Sequence, residues 1–169
     1  MTEKRRAYAE GTTVAVEKTR IEIEQTLDRY GATGFAYGAE GGGVDGGRRR
    51  VEFVAHGRRV RFDLTIPALK DKRFVGARDP WSGPNDSLRR DRWESEQRRL
   101  WRALLLGIKA KLEAVESGMA IFEEEFMANI VMPDGRTVGQ HAMPAIARAY
   151  ETGRVVALLP ETLLPETTN

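Results

Sequence analysis

Apolar positions recur along this chain with two different periods, and each predicts its own kind of element. From Arg89 to Ser117 the residues Trp93, Trp101, Leu104, Leu105, Ile108, Leu112 and Val115 return at helical spacing. At about 100° per residue they fall in one stripe roughly 120° wide, as in a long helix with one face turned to a core. Asp86 or Ser87 can cap its start, and Gly118 ends it. Arg98, Arg102 and Lys109 lie on the opposite side, flanked by Arg92 and Arg99. An earlier helix, from about Val14 to Tyr30, carries Val16, Ile23, Leu27 and Tyr30 on one side. Thr12 or Thr13 is its expected cap and Gly31 its stop. Glu17, Glu22, Glu24 and Asp28 offset Lys18, Arg20 and Arg29, so this helix reads as a packing element.

Between the two helices the period falls to two. TGFAYGAE predicts a short strand with Phe35 and Tyr37 on one face. RRRVEFVAHGRRVRFDLTIP predicts two further strands around Gly57-Arg58, with glycine at the first position of a tight turn. With His56 opposite Arg59, Ala55 meets Val60, Phe53 meets Phe62 and Val51 meets Leu64, so one face is wholly apolar. The other face then pairs Val54 with Arg61, Glu52 with Asp63 and Arg50 with Thr65. Pro67 ends the second of these strands. A helix at about Met119 to Asn129, a turn on Pro133-Asp134-Gly135 and a last helix at about Val138 to Thr152, closed by Gly153, complete the chain.

The expected fold is therefore α+β. An N-terminal helix precedes a three-stranded antiparallel sheet (β-β-β-α), a long amphipathic helix packs on that sheet, and short helices follow. One domain over residues 13–155 is expected, between a loose segment 1–12 and a tail 156–169 in which leucines sit between prolines. A length of 169 residues suits one domain. The absence of cysteine excludes disulfides, thiol nucleophiles and cysteine-ligated zinc, and agrees with a reducing compartment. MTEKRRAYAEG lacks the apolar centre of a signal peptide, and the longest apolar run, ALLLGI, is far short of a membrane span. The sequence thus reads as cytoplasmic, with no membrane contact.

Charge changes the picture more than composition does. The formal net charge is only +2. Yet Arg48, Arg49, Arg50, Arg58, Arg59 and Arg61 crowd the hairpin against a single acid between them, Glu52. Acids gather later, at Glu123-Glu124-Glu125 and in the tail, and such asymmetry can attract a polyanion. After the hairpin, Lys70, Lys72, Arg73 and Arg78 alternate with Phe74 and Trp81. Basic and aromatic residues so interleaved suit a single nucleic-acid strand, although the same rings can equally pin a long loop to the core.

No catalytic motif accompanies these charges. The glycine-rich stretch Gly38–Gly47 lacks the Lys-Ser/Thr ending of a phosphate loop and precedes a strand, so it reads as a hairpin loop. Glu123, Glu124 and Glu125, with Asp134 and His141, are the best metal candidates. Consecutive helical positions diverge by about 100°, however, so three adjacent glutamates do not converge on one ion. His56 is read as a turn residue, and no nucleophile-elbow sequence supports a serine triad. An enzyme, a metal and a cofactor are not expected.

The order helix, three antiparallel strands, long helix, over residues 14–117, resembles the core of the Rad52-type single-strand annealing proteins, a superfamily well represented in phages. IKAKLEAVESGMAIFEEEF and MPDGRTVGQ also make nearly the whole chain similar to a family of small proteins encoded by phages and prophages. The first resemblance implies a homo-oligomer joined through strand edges, holding single-stranded DNA in a basic groove with bases outward. Its phosphate contacts would then be Arg48, Arg49, Arg50, Arg58, Arg59, Arg61, Lys70, Lys72 and Arg73, to which the long helix adds Arg98, Arg102 and Lys109. The competing expectation is a protein-binding module that presents the acidic helix 119–130 and the leucine-bearing tail to a host or phage protein.

Overall fold

The computed structural model describes residues 9, 11–74, 78–79, 83–155 and 157–159. Trp81, most of residues 1–12 and nearly all of residues 156–169 lie outside them. The elements run α1 (Val16–Arg29), β1 (Thr33–Gly41), a 3-10 turn (Gly43–Asp45), β2 (Gly47–Ala55) and β3 (Arg58–Ile66). Then come β4 (Arg78–Asp79), β5 (Gly83–Pro84), α2 (Asp86–Glu116), α3 (Phe122–Phe126), a 3-10 turn (Met127–Asn129) and α4 (Val138–Thr152). β1, β2 and β3 form one antiparallel sheet in chain order, as the α+β reading expects, and β4 and β5 pair separately.

One face of the sheet is apolar because Tyr37, Val51, Phe53, Val60 and Phe62 share its parity. α1 and α2 cover that face. Ile23 and Leu27 from α1, and Trp101, Leu105, Ile108 and Leu112 from α2, join Val51, Phe53 and Val60 in a single buried cluster. The helices run parallel: Arg20 meets Trp101, Glu22 meets Arg102 and Tyr30 meets Glu113, in increasing order along both. Asn85, not Asp86 or Ser87, caps α2, its side chain accepting from the Leu88 amide. α1 starts later than expected. Thr12 Oγ1 accepts from the Val14 amide, and extended Ala15 becomes the N-cap with no side-chain cap bond.

The hairpin differs from the expected one. Its two turn residues are His56 and Gly57, with φ of 51° and 70°, instead of Gly57 and Arg58. Two positive φ angles make a type I′ turn, whose twist matches that of the flanking strands. The register therefore moves by two residues: Val51 opposes Phe62 and Phe53 opposes Val60. Every side chain keeps its face. The partners change, however, so Glu52 faces Arg61 and Arg50 faces Asp63, and the unfavourable Glu52–Asp63 pairing is avoided. His56 is held in its unusual conformation by stacking on Phe122, ring centres 4.6 Å apart. The glycine-rich stretch is only partly loop, since β1 extends to Gly41 and β2 resumes at Gly47.

After α2 the chain folds back. Phe122 and Phe126 complete the core, with Phe126 edge-on to both Phe53 and Phe62. The predicted helix at 119–129 is thus one short α-turn and a 3-10 turn. Ile130 then bridges Val60, and the Val131 amide donates to the Arg59 carbonyl at 2.8 Å, so this segment lies along the edge of β3. It continues to the outer face of the sheet, where Thr137 and Gln140 form a capping box for α4.

Candidate nucleic-acid interface

The twelve basic residues singled out by the sequence do not form one track. Arg48, Arg50, Arg59 and Arg61 stand on the outer face by strand parity. There Arg50 Nε lies 3.1 Å from Asp63 Oδ1, and Arg61 also approaches Asp63 and Glu52, within 3.9 Å. Arg61 is only 7% exposed: it donates to the Gly135 carbonyl and to Gln140 Oε1, while its own carbonyl accepts from Asn129 Nδ2. The returning C-terminal segment thus covers it, leaving no open side for a phosphate. Arg48 and Arg59 are exposed, Arg48 lying 4.0 Å from Glu40.

The others are scattered further. Arg58 reaches Glu123 at 3.7 Å and Arg102 pairs with Glu22. Lys70 and Lys72 are exposed in the loop after β3, whereas Arg73 bonds Asp71 and Glu96. Phe74 in that loop is buried, so it anchors the chain instead of offering a stacking platform. Lys109 is exposed on α2.

Arg49 and Arg98 are brought together in a different place. Arg49 shares the parity of Val51, so it projects to the helix-covered face at the end where α1 begins. There a cleft of about 560 Å³ opens between the start of α1, the middle of β1 and the first half of α2. Arg20, Tyr37, Arg49, Trp93, Arg98 and Trp101 line it. The Arg20 guanidinium lies 4.2 Å above the Tyr37 ring centre and 5.9 Å from that of Trp101. The Tyr37 hydroxyl donates back to the Arg20 carbonyl at 2.6 Å. Burial pushes the Tyr37 phenol up to about 12, against the opposing pull of Arg20.

The electrostatics of this cleft are unlike those of the outer face. Among the described residues no carboxylate lies within 4.0 Å of Arg20 or Arg49. Arg49 Nη1 is instead oriented by the Gly41 and Arg48 carbonyls, each at 3.2 Å. Among the described residues the Nε groups of Arg20 and Arg98 are sealed from solvent without a hydrogen-bond partner, and the carboxylate nearest Arg98 is that of Glu94, 4.0 Å away. Glu17 and Glu94 also line the cleft, against three guanidiniums. Its lining is net cationic, with aromatic walls.

Arg20, Tyr37 and Trp101 were not among the sequence candidates. For Arg20 a signal existed: it follows Val16 by four and precedes Ile23 by three, which sets an arginine inside the apolar stripe of α1. The acidic candidates behave differently. Glu123 pairs with Arg58 and Glu125 with Lys111. Asp134 Oδ2 lies 2.8 Å from Nε2 of buried His141. The Arg136 amide, and then His141, hold the Asp134 carboxyl below its usual range. These contacts tie the C-terminal segment together and gather no group of ligands among the described residues. No family model, curated protein or solved structure matches the chain.

Proposed function

We propose that this protein binds single-stranded nucleic acid, DNA in the first instance, and presents it for pairing in recombination or replication of the phage type. The observation that carries this reading is the cleft, where among the described residues Arg20 and Arg49 have no carboxylate within 4.0 Å and lie beside the half-buried Tyr37 ring. Guanidiniums neutralise phosphates, and rings stack on bases only where the bases are not already paired, which favours a single strand over a duplex. Annealing needs two like-charged strands brought together and no bond made or broken, so positioned cations suffice. Among the described residues the outer edge of β1 has no strand partner, and an edge of that kind supports self-association. On this reading the phosphate contacts are Arg20, Arg49 and Arg98, with Lys70 and Lys72 as outlying cations.

The test is fluorescence anisotropy with a labelled single-stranded oligonucleotide and the matching duplex. Binding that favours the single strand and weakens with salt is expected, since each phosphate contact releases counterions. Equal affinity for duplex, or no binding at low salt, overturns the reading. A second reading, a protein-binding module, is favoured by a separate observation. Met119, Ile121 and Met127 are exposed around acidic α3, as are Met143, Ile146 and Tyr150 on α4. It predicts that Tyr150→Ser and Ile146→Ser abolish a protein contact and leave oligonucleotide binding untouched.

A further inference from the structure

We infer that the cleft between α1, β1 and α2 takes one phosphorylated nucleotide unit, either free or as the terminal residue of a strand, and is not a stretch of continuous groove. This deepens the nucleic-acid reading and rests on it. The first argument is size. A cleft of about 560 Å³ falls within the range of small-molecule sites, about 300–1,000 Å³, and suits one nucleotide more than a run of them. The second is the arrangement of its chemistry. Cations and rings are not interleaved along a line; Arg20 is stacked on Tyr37, and Arg49 and Arg98 line the same enclosure. A phosphate dianion at a chain end can satisfy several guanidinium donors at once, which an internal diester with its single charge does less well.

The third argument is preorganisation. Arg49 is fixed by two backbone carbonyls, and a Cβ on Gly42 would come within 3.2 Å of its Nη2, so the loop backbone packs against this side chain. Arg20 is held by the Tyr37 ring below it. Donors held in place before the ligand arrives lose less entropy on binding. A base entering beside the phosphate would meet the exposed part of half-buried Tyr37, a ring that Trp101, only 4% exposed, supports from within the core.

The inference is tested by isothermal titration calorimetry of the full chain with deoxyadenosine monophosphate, deoxyadenosine and inorganic phosphate. In parallel, one oligonucleotide is titrated with and without a 5′-phosphate. Saturable binding of the monophosphate is expected, with the nucleoside and phosphate each weaker, and an affinity reduced about tenfold or more in Arg49→Ala. Arg20→Lys, which keeps the charge but not the planar stack, guards against a variant that fails to fold; it is expected to weaken the monophosphate while retaining the circular dichroism of the parent. A preference for the 5′-phosphorylated oligonucleotide assigns the site to a strand end, binding of the monophosphate that neither oligonucleotide displaces assigns it to a free nucleotide, and equal affinity of two oligonucleotides that both displace the monophosphate is the result of a continuous groove and overturns the single-unit site. If the oligonucleotide binds and the monophosphate does not, the nucleotide site is overturned while the nucleic-acid reading stands. If neither binds, both fall.

Discussion

Arg61 Nη2 donates to Gln140 Oε1 at 2.7 Å, joining the centre of β3 to the first turn of α4 across 79 positions of sequence. The same Gln140 oxygen accepts from the Thr137 amide and so belongs to the α4 capping box. A residue that belongs by type among nucleic-acid contacts is here the anchor of the C-terminal segment. Arg61→Ala is accordingly expected to destabilise the protein by about 2–4 kcal/mol, because the Gly135 and Gln140 acceptors and the neighbouring carboxylates are all left without their partner. Urea denaturation reads the difference. Oligonucleotide affinity, measured under conditions where the variant is folded, is expected to stay within about twofold of the parent.

Two glycines of the β1–β2 connection predict opposite outcomes for one substitution. A Cβ on Gly47 would come within 2.4 Å of the Glu40 carbonyl oxygen, at a φ of +150°, whereas one on Gly43 meets nothing within 4 Å. Gly47→Ala is expected to cost more than about 2 kcal/mol, combining backbone strain with overpacking. Gly43→Ala carries only the strain of its positive φ, about 1 kcal/mol. Thermal melts of the two variants side by side check the ranking.

Tyr37 makes stability depend on alkaline pH. Its phenol titrates near 12 in the folded protein, above the ordinary value near 10 for the unfolded chain. The folded state thus binds more protons between those values, and the contribution of Tyr37 is complete below about pH 10 and disappears as pH rises through about 12. Unfolding free energies across that window are expected to fall more steeply for the parent than for Tyr37→Phe. Identical slopes would mean that the phenol stays accessible to ionisation in the fold.

The hydrophobic pattern carried the architecture well, and the charge pattern carried the site poorly. Of the helical stripe on α2, Trp93, Trp101, Leu105, Ile108 and Leu112 are buried, because period alone decides which face a packed helix turns inward. The α4 boundaries follow from local chemistry too, since Thr137, Gln140 and Gly153 all act within a turn of themselves. The hairpin register was not accessible this way: Gly57 serves both a II′ turn at Gly57-Arg58 and a I′ turn at His56-Gly57, and both preserve the apolar face. Only the cross-strand charges separate them, Glu52 with Arg61 and Arg50 with Asp63.

The cleft was hidden for a different reason. Arg20 and Trp101 are far apart in the chain and meet only because α1 and α2 run parallel at one particular offset. Arg49, by contrast, shares strand parity with Val51 and Phe53, so its place on the helix-covered face was legible in the alternation itself. Arg61 shows the limit of parity: it stands on the outer face as alternation demands, yet Gly135, 74 residues later, belongs to a segment that covers it.

The most direct measurement of the central claim is the salt dependence of single-strand binding in the parent, Arg20→Ala and Arg49→Ala. Removing one phosphate-binding guanidinium is expected to lower the slope of log affinity against log salt by about 0.7 and to weaken binding about tenfold. The exposed pair Arg58 and Arg59, changed to alanine together, is expected to leave the slope unchanged within error. A parent-like slope and affinity in both cleft variants, with the weakening found instead in the Arg58 and Arg59 variant, would contradict the account and return the interface to the tip of the hairpin.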